Sequence, residues 1–345
     1  LLQRLTIGFS THRPETLPFA GPLMVRHSLV ILEDPPTPGF RRMLRSQMSI
    51  SDYALNAETD YPAFNEASCK LARQLHRQGI QVVQIEPFME LLIEIHELFA
   101  AGGSFRDINP SSLRFQVYQA EKRATEQLIK FYQASVSQDF ESVVAAVKRF
   151  AKTDANRFRL RDTLRAQAIA NCTQTAESAY IEAGEMHQGL VSELKARLKP
   201  DVKVTPCFLM APIIQALTGK KQVLAPGDQI TLHYIRGQTV PEQVNNLLAG
   251  RSLIYNKIIE KNEIATHQID YPHQRDELRM IARVNLLDWS SCKEVFDKIR
   301  RVKTIAAQAL VDQALIRRGL GSRLTAIDNQ YARPIDKSQL ARSHS

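Results

Sequence analysis

Two histidines and several carboxylates stand where short apolar runs of the sequence end. His12 follows Leu5–Phe9, Glu33 and Asp34 follow Leu29–Leu32, and Glu86 follows Ile80–Ile85. Glu182, Glu185 and His187 sit in or just after a run that starts at Ser178. Parallel strands present their C-terminal ends on one edge of a sheet, so these groups converge if the runs are parallel strands. Two imidazoles with one to three carboxylates suit a borderline divalent ion such as zinc, manganese, iron or cobalt. A carboxylate left off the metal can act as general base toward a bound water. The bland alternative is a set of solvated loop residues.

The elements that must position these groups alternate. Leu29–Leu32 is a compact apolar run stopped by Pro35 and Pro36, which cannot continue a ladder. Ala67, Leu71 and Leu75 recur at helical spacing before Gly79. After the third apolar run, Pro87 opens a helix whose stripe is Phe88, Leu91, Leu92, Ile95 and Phe99. The order strand, helix, strand, helix predicts an α/β fold with a mostly parallel or mixed sheet flanked by helices. Residues 111–175 read as a helical insertion, with helices over about 111–136, 138–150 and 153–174, that caps the strand ends. Strands return at about 178–182 and 202–210, and a short helix follows over 212–217. Residues 229–235 are open between a strand and a helix start. The C-terminal third reads as helices over 244–248, 251–260, 275–283, 292–299 and 302–317. The resulting division is an α/β core over 1–220, a helical extension over 221–328 and a flexible tail over 329–345.

Within the insertion, Arg157, Arg159, Arg161, Asp162 and Arg165 form a dense charge run. Arg161 and Arg165 lie one turn apart, and such a pair aimed into an acidic mouth orients the carboxylates or clamps an anionic substrate. A solvated helix face is the competing reading. His233, His267 and His273 match no ligand spacing.

Composition narrows the function. With 345 residues, 44% hydrophobic and 23% charged, the chain is an ordinary globular protein. The net charge of +9 is spread among acidic residues without interleaved aromatics, so a nucleic-acid partner is not expected. Cys69, Cys172, Cys207 and Cys292 form no CxxC pair and read as thiols of a reducing, cytoplasmic compartment. No run of about 18 apolar residues predicts a membrane span. The opening LLQRLTIGFS carries no export signal, and the missing initiator Met hints at trimming. Gly219, Lys220 and Lys221 resemble only the tail of a phosphate loop, and GxGxxG and GxSxG are absent, so no nucleotide cofactor is expected.

Gly8 to His12, Glu33, the RDxxxA-like element Arg161 to Ala166, and Gly184-Glu185-Met186-His187 together resemble a superfamily. It joins the TraB/PrgY, Tiki, erythromycin-esterase-like and haem-uptake ChaN-like proteins. The resemblance covers residues 5–210 and implies an α/β core with two GxxH-type motifs and a glutamate at one pocket, in some members a metal-dependent hydrolase or peptidase. Gly184 with His187 matches the second motif in full. The first, Gly-Glu-x-His in the family, reads Phe9-Ser10-Thr11-His12 here.

On that basis His12, Glu33 and His187 are expected to face a divalent transition metal. Glu185 or Glu182 is then the base, and Arg161 an orienting or oxyanion-stabilising group. The expected function is hydrolysis of an amide or ester bond in a small molecule or peptide. Two other classes remain: a metal-independent esterase-like enzyme with His12 as base, and a noncatalytic ligand-binding or scaffold protein. The apolar faces within Arg275–Arg283 and Arg300–Arg317 also leave room for a homo-oligomer.

Overall fold

The computed structural model describes residues 2–55, 61–264 and 269–335. Its five strands are β1 (Arg4–Ser10), β2 (Leu29–Leu32), β3 (Gln81–Gln84), β4 (Ser178–Gly184) and β5 (Lys203–Phe208). They form one sheet in the order β3-β2-β4-β1-β5 with every pairing parallel. The α/β expectation therefore holds, and the strand ends share one edge. Ser10 lies opposite Gly184, and Leu32 opposite Gln84.

Both faces of the sheet are covered. On one, Leu5, Ile7 and Phe9 of β1, Leu29 and Ile31 of β2, and Ile181 of β4 pack with Ala166, Ile169, Leu190 and Leu194. On the other, Val30, Val82 and Tyr180 pack with Met24, Phe40, Leu75 and their neighbours. The period-two alternation of the strands explains this division. Gly8 is required where it stands, because a Cβ there would lie 1.8 Å from the Tyr180 hydroxyl. Helix Leu17–Met24, with Pro22 inside it, was not expected from a segment this rich in proline and glycine.

The chain divides into two compact units, Leu1–Lys122 with Arg157–Leu209, and Arg123–Asn156 with Met210–Ser345. These limits differ from those read in the sequence. Phe140, Val143, Val144 and Val147 share a core with Leu253, Ile254, Val284 and Phe296, so residues 123–156 of the helical insertion belong with the C-terminal helices, while its residues from 157 on belong with the sheet. The expected break near residue 152 is also absent, since one helix runs from Phe140 to Cys172. Thr153 fits inside the helix because its hydroxyl donates back to the Arg149 and Phe150 carbonyls, and Ala151 and Ala155 are buried.

The second unit is helical. Residues 229–235 lie in helix Pro226–Ile235, and the two helices expected over 244–260 are one, Glu242–Ile258. Gly250 lies inside it because a Cβ there would crowd the Phe140 ring at 3.0 Å. Helix Gly321–Ala332, unexpected from its weak apolar pattern, occupies the start of the supposed tail and buries Tyr331. The rest of that tail from residue 336, and His267, lie outside the described residues. Among the described residues no helix is long and apolar enough to cross a membrane.

Candidate functional site

Every group of the site belongs to the first unit, and the sheet edge places most of them. β1 delivers His12 two residues past its end, with a left-handed backbone (φ 51°) that is uncommon outside glycine. The His12 amide donates to the Ser10 hydroxyl at 3.2 Å, which supports this turn. β2 ends directly in Glu33. Past β3, Glu86 occupies the N-cap position of helix Pro87–Ala100. β4 contributes Glu182 and Gly184, then turns to His187. From the Phe140–Cys172 helix come Phe158, Arg161, Asp162 and Arg165, whose spacing puts all four on one stripe.

Glu33 is the hub. Its Oε1 lies 2.9 Å from His187 Nε2 and 3.5 Å from Arg161 Nη2. Its Oε2 accepts the Gly184 amide at 2.5 Å and lies 3.4 Å from Arg165 Nη1 and 3.8 Å from His12 Nε2. A Cβ on Gly184 would stand 3.5 Å from both imidazoles, so this residue is the floor shared by the two histidines.

Arg165, fully buried, ties the strand ends together. Its Nε donates to the Ile85 carbonyl at 3.1 Å and its Nη2 to the Glu182 carbonyl at 2.6 Å. Glu86 is equally buried, with Oε2 3.4 Å from Arg161 and 3.8 Å from Arg165. Glu182 is engaged in the frame, accepting the Glu33 amide at 3.2 Å. Glu185 lies on the turn beyond β4, its amide donating to the Ser10 carbonyl and its own carbonyl accepting from Gln188.

The electrostatics follow from this packing. Burial alone would raise the Glu33 pKa, but the charges of His187 and Arg165 and the His187 hydrogen bond outweigh it and hold Glu33 well below the ordinary carboxylate range. Burial likewise disfavours a charged His187. Glu33 and a 2.5 Å hydrogen bond to Asp162 overcome this and push it up to about 9, so the ring is an imidazolium at neutral pH. Asp162 itself is raised, by burial first and only partly opposed by His187. Burial also opposes the Arg161 charge, yet Glu86 and Glu33 raise its pKa above the ordinary value. Asp34, solvent-accessible but set in crowded surroundings, is pushed up to about 6, by desolvation first and by Glu182 second.

A metal ion implied by the resemblance would need lone pairs from His12, Glu33 and His187. Both ring nitrogens of His187 already face carboxylates, Nε2 toward Glu33 and Nδ1 toward Asp162. Two guanidinium groups stand within 3.5 Å of Glu33 and supply the positive charge a cation would bring. Among the described residues no three His, Cys, Asp or Glu side chains are disposed to hold an ion. In this arrangement the donor set does not fit a metal.

No family model matches the chain. No solved structure matches it either. An uncharacterized protein of Archaeoglobus fulgidus is 26% identical over 295 residues, covering 85% of this chain and 97% of that protein.

Of the residues singled out in the sequence, His12, Glu33, Arg161 and His187 meet around one carboxylate, with Glu182 behind it. Sequence reasoning noted Asp162 only within a charge run and gave it no role, yet it fixes His187. An aspartate inside a helix between two arginines one turn apart was the available signal. Glu86 had been noted as a strand end, and it turns out to partner both arginines.

Proposed function

We propose that the first unit is a hydrolase of ester or amide bonds that activates water with His12 and without a metal. The supporting observation is the unequal state of the two histidines. The His187 side chain is 4% exposed with both nitrogens engaged, whereas the His12 side chain is 30% exposed and touches the hub at Nε2 alone. Nδ1 of His12 is thereby the nitrogen free to face a water. Glu33, kept ionised by His187, Arg161 and Arg165, orients the ring and stabilises the imidazolium that forms on proton abstraction, the role a carboxylate plays behind a catalytic histidine. The 3.8 Å gap must close when substrate binds, as is common for catalytic contacts in free enzymes. Arg161, 18% exposed where Arg165 is fully buried, would stabilise a developing oxyanion. The edge of Phe64 packs on the His12 ring with centroids 5.5 Å apart and limits its swing. The resemblance stated above supports the hydrolase class, and the metal-free part of the reading rests on the two histidines.

The test is a panel of ester and amide substrates assayed after exhaustive metal removal, with elemental analysis of the same samples. Undiminished turnover without metal, lost in His12→Ala, supports the proposal. Turnover that disappears with the metal and returns with zinc or manganese would instead favour a metal-dependent hydrolase, with His187 released from Glu33. Absence of turnover alongside saturable ligand binding that His187→Ala alters would favour a noncatalytic binding protein.

A further inference from the structure

The two edges of the sheet, β5 and β3, are finished differently. The Lys203 amide donates to the Gln3 carbonyl and the Leu209 amide to the Phe9 carbonyl, both at 3.0 Å, so every second residue from Lys203 faces β1. Pro206 then falls on an outward position, where it offers no N–H to an incoming strand. A proline placed so is one of the devices that blunt a sheet edge.

β3 has no such device. The Gln81 amide donates to the Ser28 carbonyl at 3.1 Å and the Ile85 amide to the Leu32 carbonyl at 3.2 Å, which turns the amides and carbonyls of Val82 and Gln84 outward. None of these four groups meets a protein partner among the described residues. A groove of about 330 Å³ is lined by Val82, Val83 and Gln84. Val82 and Val83 send their side chains into the cores on opposite faces of the sheet, so a groove that both line reaches the open edge of the strand. Backbone groups there are paired by water or by another chain.

The rest of the lining sets the chemistry of that chain. Helix Phe40–Leu44 contributes Phe40, Arg41 and Arg42, and Pro36 adds to the apolar part. Residues 35–51 hold Arg41, Arg42 and Arg45 and no acidic side chain. None of the three arginines has a carboxylate partner among the described residues. We propose that the β3 edge docks an extended acidic segment of another protein, its backbone pairing with Val82 and Gln84 and its carboxylates meeting Arg41 and Arg42. In strand addition of this kind the main chain supplies affinity and the side chains supply selection.

Fluorescence anisotropy of the full chain with a labelled pentapeptide of alternating glutamate and valine tests this. The expected result is saturable binding, one per chain, with a Kd below about 100 μM, weakened by at least about tenfold in the double variant Arg41→Glu/Arg42→Glu. Both arginines are exposed, so the variant keeps its fold. Two further probes carry N-methyl groups on one or the other alternate set of residues. One set should abolish binding and the other spare it, the period of a strand paired along a single edge. No saturation up to about 1 mM, binding unchanged in the double variant, or methylated probes that bind alike would each overturn the proposal. A chain that sediments as a dimer and takes the probe only on dissociating would also overturn it, by giving the edge to a second copy.

Discussion

His187 and His12 approach different oxygens of one carboxylate and share the floor at Gly184, yet they live under opposite conditions. His187 is enclosed, protonated and bonded at both nitrogens. His12 stands at the mouth on a left-handed turn with one nitrogen unspent on Glu33. The lesson is that a histidine pair need not be a ligand pair. One ring can act as a fixed positive charge that keeps the shared carboxylate ionised, leaving the other free to exchange protons. The contrast is a difference in packing before it is a difference in chemistry, because the Phe140–Cys172 helix brings Asp162 and Phe158 to only one of them.

Breaking the enclosed side should cost the most stability. His187→Ala strands Glu33 and Asp162 as buried carboxylates without their shared cation, and an expected loss of about 3–5 kcal/mol should be visible in urea unfolding. His12→Ala should do the reverse. Stability should shift by less than about 1 kcal/mol, while turnover of any substrate found falls by about 10²–10⁴-fold, the usual contribution of a general base. If the two variants lost stability equally, the contrast between the rings would be wrong.

The pH dependence sharpens the comparison further. His187 titrates at about 9 in the folded chain against an ordinary 6.5, so its contribution to stability is complete below pH 6.5 and disappears as the pH rises through 9. Its size is on the order of 3 kcal/mol. Denaturation midpoints measured from pH 6 to 10 should fall across that window, and His187→Gln should flatten the fall.

The smallest effect belongs to Asp34. Its carboxyl, raised to about 6 from 3.8, opposes folding once ionised. Asp34→Asn should therefore raise stability at pH 8, by less than about 1 kcal/mol given its exposure to solvent, and the gain should vanish near pH 4.

The sheet was legible because its strands are short apolar runs closed by polar residues or proline, a pattern that survives without tertiary context. Their common edge followed from parallel pairing, and with it the meeting of His12, Glu33 and His187. What the sequence did not disclose was how those groups share protons and charge. Arg165 reads in the sequence as half of an arginine pair that orients carboxylates or else a solvated helix face, and only the structure shows it bonding Ile85 and Glu182 while facing Glu33. The ligand set expected from two histidines and a glutamate meets the same point, because in this arrangement two guanidinium groups already stand beside Glu33. The helical parts were harder to divide. Thr153 and Gly250 are ordinary punctuation marks, and in both places buried packing carried a helix straight through them.

The central position of β4 bears on how the protein is made. β1 pairs only with β4 and β5, and β2 only with β3 and β4, so nothing in the sheet joins β1 to β2 until Ser178–Gly184 arrives. Arg4 must wait for Ser178, and at usual elongation rates that interval is on the order of 10–30 s. Such distant pairing also makes for slow folding. Until then Leu5, Ile7 and Phe9 of β1 and Leu29 to Leu32 of β2 lack the strand that joins them, so this half of the core closes late on the nascent chain.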